Sequence, residues 1–410
     1  MDYTLFARSL LQDNHLALVG LSLLGAVLVA EALHRLFRMP TITGYLCTGL
    51  LCGPLGLGLI DPDAMRQLSL FSDVAVGILL FELGRHLDWR WLHREPRLMA
   101  LALVESLSVF GAVYGLFQLL GIEPVAAGLL GILAMTTSPV ILLPILRETR
   151  AEGRVSEWAW VFAAVNNALA LVLALMLISL TRFAREDGWQ AALLQPAWEL
   201  LGALALGMVA AFLLALFLKW LRQRGPHDVL PMLFLFGGIA ATVGVAQLLA
   251  VPTLLAVLSL GIASRNIDQG EALLGLNVDH LRGLFVCVLF VQIGASLDWW
   301  AWREVPMWAG LFLLVRGLVR LTVPALLAPF SGIGHRQGVW LGVTLLPMSS
   351  LAVLTVHGSV AAMPELTTHA SAIALAALCL LEIIGPLTTR WALERVGDAR
   401  KTKGMQHDRF

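Results

Sequence analysis

Charge is scarce in this sequence. Asp, Glu, Lys and Arg make up 14% of its 410 residues, where a soluble chain carries about 25%. The net charge at neutral pH is zero, so nothing points to a nucleic acid or any other polyanion as partner. Cysteine is also sparse. Cys47, Cys52, Cys287 and Cys379 all lie in apolar runs without metal-ligand spacing, which excludes a zinc site and leaves small packing residues. The ten histidines form no metal pattern either. The Gly-rich run 49–59 follows no strand, so it reads as close helix packing and not as a nucleotide loop. With no nucleophile–base pair and no metal constellation, neither an enzyme nor a cofactor is expected. The opening residues lack a basic stretch leading into a short apolar core, so no cleaved signal peptide is expected.

What the chain has in excess is apolar sequence. Hydrophobic residues make up 58% of it, and mean hydropathy is +0.81. The charges sit in short clusters between apolar runs of roughly 17 to 25 residues, the length that crosses a bilayer as a helix. Backbone groups in lipid must be satisfied within the segment, so helix is expected throughout. Thirteen spans are predicted, at about 15–37, 40–60, 66–88, 97–120, 124–147, 156–181, 196–221, 228–250, 252–266, 281–297, 305–328, 335–358 and 368–393. The fold class is therefore an all-α polytopic membrane protein. With thirteen spans, most of the 28 Lys and Arg residues fall on one set of alternate loops and the C-terminal tail. Arg8, Arg66, Arg182, Arg185 and Arg303 fall on the other set. The positive-inside rule then predicts an outside N-terminus and a cytoplasmic C-terminus.

The chain also repeats itself. LLFELGRHLDW (79–89) returns as FVQIGASLDWW (290–300), aligning Gly84 with Gly294 and Asp88 with Asp298. PTITGYLCTG (40–49) returns as PTLLAVLSLG (252–261), aligning Gly49 with Gly261. In the third match Gly131 aligns with Gly342, and Pro139 answers to Pro347. The offset is nearly constant, and it carries the second span onto the ninth, seven helices later. An odd separation reverses orientation, so an inverted repeat is predicted. One domain is expected over 1–393, with repeat halves at about 40–181 and 252–393, followed by a short cytoplasmic tail, 394–410.

Each half contains one interrupted helix. Thr136, Thr137, Ser138 and Pro139 break the fifth span, and Pro347, Met348, Ser349 and Ser350 break the twelfth. Both prolines fall roughly 18–23 Å into their spans at about 1.5 Å per residue. Proline removes a backbone donor and crowds the preceding turn. The symmetric placement predicts two unwound helices that cross at mid-membrane, with their half-helix ends and hydroxyls lining a substrate site. Ordinary proline kinks are the plainer reading.

Ionisable side chains inside spans are costly and need partners. Arg316 lies near the centre of the eleventh span, and Arg320 follows one turn later on the same face. Glu105 lies in the fourth span and Glu382 in the last. An Arg–Glu bridge between packed helices is the plain reading; the functional one places Arg316 beside a substrate cavity. Glu31 with Arg35, and Glu82 with Arg85 and His86, have the spacing of interfacial pairs within one helix. Asn166 and Asn167 sit side by side in the middle of the sixth span. They act either as interhelical glue or as cavity lining, which their position in the repeat favours. Amides coordinate cations or hydrogen-bond solutes, but they do not titrate.

These residues carry a resemblance. PTITGYLCTGLLCGPLGLGLI, LLFELGRHLD, TTSPV and the mid-helix pair in WVFAAVNNALALV, in that order, resemble the cation:proton antiporter superfamily. The likeness is to Kef-type potassium efflux systems and bacterial sodium–proton exchanger membrane domains, over nearly the whole chain. It implies a dimerisation part, a core part with two crossed unwound helices, and elevator-like alternation of access. In such proteins the second residue of the sixth-span pair is the aspartate that binds ion and proton. Here that position is Asn167. The basic residue of the eleventh span carries over to Arg316. Kef proteins have an acid in the twelfth span where LLPMSSLAV has none, and a nucleotide-binding regulatory domain where only 394–410 follow the last span here.

The resemblance implies exchange of Na⁺ or K⁺ against H⁺ by a homodimer in the lipid bilayer of a bacterial inner membrane. The expected ion- or substrate-binding residues are Asn166, Asn167, Thr136, Thr137, Ser138, Pro139, Ser349, Ser350 and Arg316. The candidate proton carriers are Glu105, Glu382 and Glu82. The missing aspartate keeps open a carrier of a neutral or anionic solute that moves no proton, or a transport-inactive regulatory relative.

Overall fold

A computed structural model describes residues 15–37, 39–54, 56–60, 62–86, 96–184, 189–222, 230–267, 279–297, 305–349 and 364–399. The described residues fold as α-helices α1 (His15–Phe37), α2 (Thr41–Cys52), α3 (Pro62–His86), α4 (Pro96–Leu119), α5 (Pro124–Met135), α6 (Pro139–Glu148) and α7 (Arg154–Ala184). They continue as α8 (Trp189–Arg222), α9 (Leu230–Leu248), α10 (Thr253–Ile267), α11 (Asp279–Ser296), α12 (Pro306–Leu327), α13 (His335–Thr344) and α14 (Pro364–Val396). One 3₁₀ turn, Ala328–Ser331, follows α12. The chain is a multi-pass membrane protein: among the described residues, eight segments are long and apolar enough to cross a bilayer, with α5 and α6 counted together.

The thirteen expected spans correspond to these helices, with α5 and α6 forming the broken fifth span and α13 the start of the twelfth, whose expected end, 350–358, lies outside the described residues. The second span differs from expectation. The spacing predicted a helix to about residue 60, but α2 stops at Cys52. Gly53 leaves the helix in an extended conformation, and Pro54 then removes a donor. The chain folds back through Leu57 N–H to Leu51 O and Ile60 N–H to Cys52 O, 2.6 and 2.9 Å. The Gly-rich run is thus packing surface in its first part and a turn in its second.

Packing follows the repeat. α2 lies on α11 and α3 on α10, while α4 packs on α5 and α12 on α13. Exchanging the halves maps each pair onto the other. The glycines that align in sequence sit at these crossings. A Cβ at Gly49 would fall 2.1 Å from the Val291 carbonyl oxygen, and one at Gly294 would fall 2.2 Å from that of Leu46. At the related crossing, a Cβ at Gly84 or Gly261 would meet the carbonyl of Leu258 or Phe81 at 2.4 and 2.3 Å. Only glycine permits such an approach.

Two regions result. One is a bundle of α4, α5, α7, α12 and α14 around Phe117, Leu130, Met135, Phe312, Met348 and Ala374, with α13 packed on α12, α14 and α7. The other is a scaffold of α1–α3 and α8–α11. α6 lies at the seam, where Ile141, Leu142 and Leu143 share a cluster with Leu79 and Leu83 of α3. The broken segment Pro124–Glu148 has 94% of its apolar window buried, against 22% for Leu194–Leu221 of α8. The interruption is therefore enclosed by protein, where unwound backbone is tolerated, and α8 leaves most of its apolar window uncovered by the rest of the chain.

Candidate functional site

The interruption between α5 and α6 begins with Pro139. It has no N–H and disfavours a helical Ser138. Thr136 and Ser138 are extended, with ψ of 147° and 105°. Ser138 then caps α6, its Oγ accepting from Ile141 N–H at 3.3 Å. The second interruption follows α13. The two meet: Ser138 N–H donates to Pro347 O at 3.0 Å, and Ser349 N–H donates to Thr136 Oγ1 at 3.3 Å. Thr136, Thr137, Ser138, Pro139 and Ser349 therefore gather at one crossing, as expected. Ser350 lies outside the described residues.

α12 supplies two guanidiniums to this crossing. A helix ends with carbonyls that lack intrahelical partners and carry a partial negative charge. Arg316 Nε donates to Ala134 O at 2.8 Å and its Nη2 to Thr136 O at 3.0 Å. Its Nη1 donates to Leu346 O, so one side chain joins the ends of α5 and α13. Arg320 Nη2 donates to Met135 O at 2.5 Å and Thr136 O at 2.9 Å. Its Nη1 reaches Thr137 Oγ1 at 2.9 Å and the Glu105 carboxylate at 3.1 Å. Arg320 and Glu105 side chains are both 0% exposed. Arg316 thus meets backbone carbonyls, and the Arg–Glu bridge forms between Arg320 and Glu105.

α7 brings the amides. Asn166 Nδ2 donates to Glu105 Oε2 and to Thr137 Oγ1, each at 3.1 Å. Its Oδ1 accepts from Ser106 Oγ. Asn167 Nδ2 donates to Thr137 O at 2.6 Å and Ala163 O at 2.7 Å. Its Oδ1 is buried and finds no hydrogen-bond partner among the described residues. A buried acceptor left unmade costs about 1–3 kcal/mol, which marks that oxygen as a place for a donor or a cation. Both amides thus bond across helices: Asn166 is held on every side, whereas Asn167 keeps one oxygen without a described partner.

Of the three candidate acids, only Glu105 touches this network in the contacts described. Glu382 is buried on α14, one turn before Gly385, where a Cβ would lie 3.0 Å from Pro347 Cγ. Glu82 lies toward the far end of α3 and pairs with Arg147 of α6, a partner from another helix. Glu31 and Arg35 pair within α1 at 2.5 Å, as their spacing predicted. Ser106 was not singled out from sequence; a hydroxyl in an apolar helix gives no signal until its neighbour is known. No group of three or more metal-ligating side chains occurs among the described residues.

A family model described as the transmembrane sodium/hydrogen exchanger matches residues 21–395. The chain belongs to the sodium/hydrogen exchanger family. Members of this family are transporters, and the superfamily is that of cation:proton antiporters. This chain is 26% identical over 412 residues to the glutathione-regulated potassium-efflux system protein KefC of Salmonella typhi, and equally to that of Salmonella typhimurium. These matches cover 97% of this chain and 64% of each KefC, so the chain spans less than two thirds of those relatives. Two structures of the sodium proton antiporter MjNhaP1 from Methanocaldococcus jannaschii share the fold. One has TM-score 0.66 at 18% identity, covering 96% of this chain and 98% of that one. The other has TM-score 0.61 at 19% identity, covering 93% and 95%.

Proposed function

We propose that this exchanger carries a monovalent cation, Na⁺ or K⁺, against H⁺, and that Glu105 takes the proton-carrying place left by the absent sixth-span aspartate. The observation that carries this reading is the hydrogen bond from Asn166 to Glu105 at 3.1 Å, which puts a carboxylate one contact away from the sixth-span pair. The unpartnered Oδ1 of Asn167 supports it, because a neutral oxygen coordinates a hard cation. Asn166, Asn167, Thr136, Thr137, Ser138, Pro139, Ser349 and Arg316 form the binding region in this reading. Arg316 and Arg320 neutralise the half-helix ends so that the crossing stays closed-packed without a nearby aspartate. The protein sits in a bacterial inner membrane as a homodimer, with its basic loops and C-terminus in the cytoplasm. The loop charge bias supports that orientation.

One observation favours a second reading. At the crossing Arg316 is bonded to backbone carbonyls, and Arg320 is paired with Glu105, so two cations meet one carboxylate in the contacts described. A fixed positive excess there repels a cation and suits a neutral or anionic solute, with no proton exchanged. Proteoliposomes holding a pH dye separate the two. Proton movement on adding Na⁺ or K⁺, abolished by Glu105→Gln in a variant that remains folded, is the expected result. A silent parent protein in which Asn167→Asp creates cation-driven proton movement overturns the first reading in favour of the second.

A further inference from the structure

α6 is ten residues long. It starts at the crossing and ends, about 15 Å away at 1.5 Å per residue, in two adjacent charges, Arg147 and Glu148. Arg147 grips the scaffold, and Glu148 joins scaffold and bundle. Arg147 pairs with Glu82 on α3. Glu148 uses its two oxygens on opposite sides. Oε2 accepts from Thr41 N–H at 2.9 Å and Thr41 Oγ1 at 2.8 Å. α2 begins at that residue, and its N-cap, Pro40, supplies no side-chain cap. The carboxylate therefore caps α2 from another helix, satisfying an orphan donor and meeting the positive end of the dipole. Oε1 accepts from Arg390 of α14 at 3.1 Å, and His34 Nδ1 of α1 lies 3.5 Å from it. Arg390 is held in turn by Glu394 at 2.9 Å.

We propose that Arg147 and Glu148 form an ionic latch that fixes α6 to the scaffold, so that the bundle moves along the seam only when both grips release. The latch is independent of which solute is carried. It differs from an ordinary surface ion pair in two respects. One carboxylate serves both regions at once, and its residue is joined covalently, through a single short helix, to the backbone that builds the crossing. Any displacement of the crossing along the bundle axis must pull on these contacts. The side chains are also neither dry nor fully wet. Glu148 and Arg390 are 18% and 16% exposed, which lets the contacts break and re-form without leaving a charge stranded in lipid.

The test reads access to the seam. Leu143 is buried one turn before Arg147, on the face of α6 turned to α3. In the full chain, with Cys47, Cys52, Cys287 and Cys379 replaced by serine, Leu143→Cys reports labelling by a small methanethiosulfonate in proteoliposomes. Ala374→Cys, buried inside the bundle, is the control site. Adding Glu148→Gln and Glu82→Gln together is expected to raise the Leu143→Cys labelling rate about tenfold or more, with the control site unchanged. The exchange Glu82→Arg with Arg147→Glu, on Glu148 as found, is expected to return the rate to that of the parent. Equal labelling with and without the latch residues overturns the proposal. So does a parallel rise at Ala374→Cys, which would show general loosening of the fold and not release of one seam.

Discussion

The two ends of α6 use the same kinds of side chain in different surroundings. At the Pro139 end, guanidiniums face backbone carbonyls, and one ion pair is sealed at 0% exposure. At the Glu148 end, opposite charges face each other at 10–36% exposure of their side chains, across Arg147–Glu82 and Arg390–Glu148. Where water is excluded, the protein does not balance each charge with another charge. It aims cations at the negative ends of broken helices and pairs one of them with Glu105. Where water is near, it matches acids with bases. A dry network is held by many hydrogen bonds that fail together, and a half-wet network by pairs that exchange one at a time.

Mutations can break this comparison, beginning with the largest effect. Arg320→Met leaves Glu105 buried without its counter-ion and is expected to lower stability by about 3–5 kcal/mol. Thermal unfolding in detergent reads the loss, and adding Glu105→Leu should recover most of it, because a buried pair replaced by apolar groups is often neutral. Gly84→Ala pushes a methyl into the Leu258 carbonyl and should cost about 1–3 kcal/mol by overpacking. In the same assay Gly244→Ala, with open space around it, should stay within about 1 kcal/mol of the parent. Glu148→Gln at the half-wet end should cost about 1 kcal/mol, since solvent screens the loss. Glu31→Gln, in an exposed pair within α1, should change stability by no more than about 0.5 kcal/mol. A larger loss at Glu148 than at Arg320 would reverse the account of which end holds the fold together.

The spans and the two interruptions were legible because they rest on local chemistry. Apolar length sets a crossing, and a mid-helix proline removes a donor wherever it occurs. The repeat was legible because its glycines mark backbone contacts that leave no latitude in residue type. The partner of Glu105 was not. An apolar helix in a membrane protein looks alike on its lipid face and its packed face, so hydropathy does not set the rotation of α4. Whether Glu105 meets Arg316 or Arg320, and whether Ser106 meets Asn166, depends on that rotation. The stop of α2 at Cys52 was missed for a related reason. The residues beyond it are apolar enough to continue the run, and only the Gly53-Pro54 step records the turn.

The glycine crossings have a mechanical consequence. Where α2 meets α11 and α3 meets α10, main chain rests on main chain with no side chain between. A layer of side chains yields by changing rotamers; bare backbone has nothing comparable to give. These four helices are therefore expected to behave as one stiff plate, so that whatever shifts during a transport cycle must shift against it as a whole body.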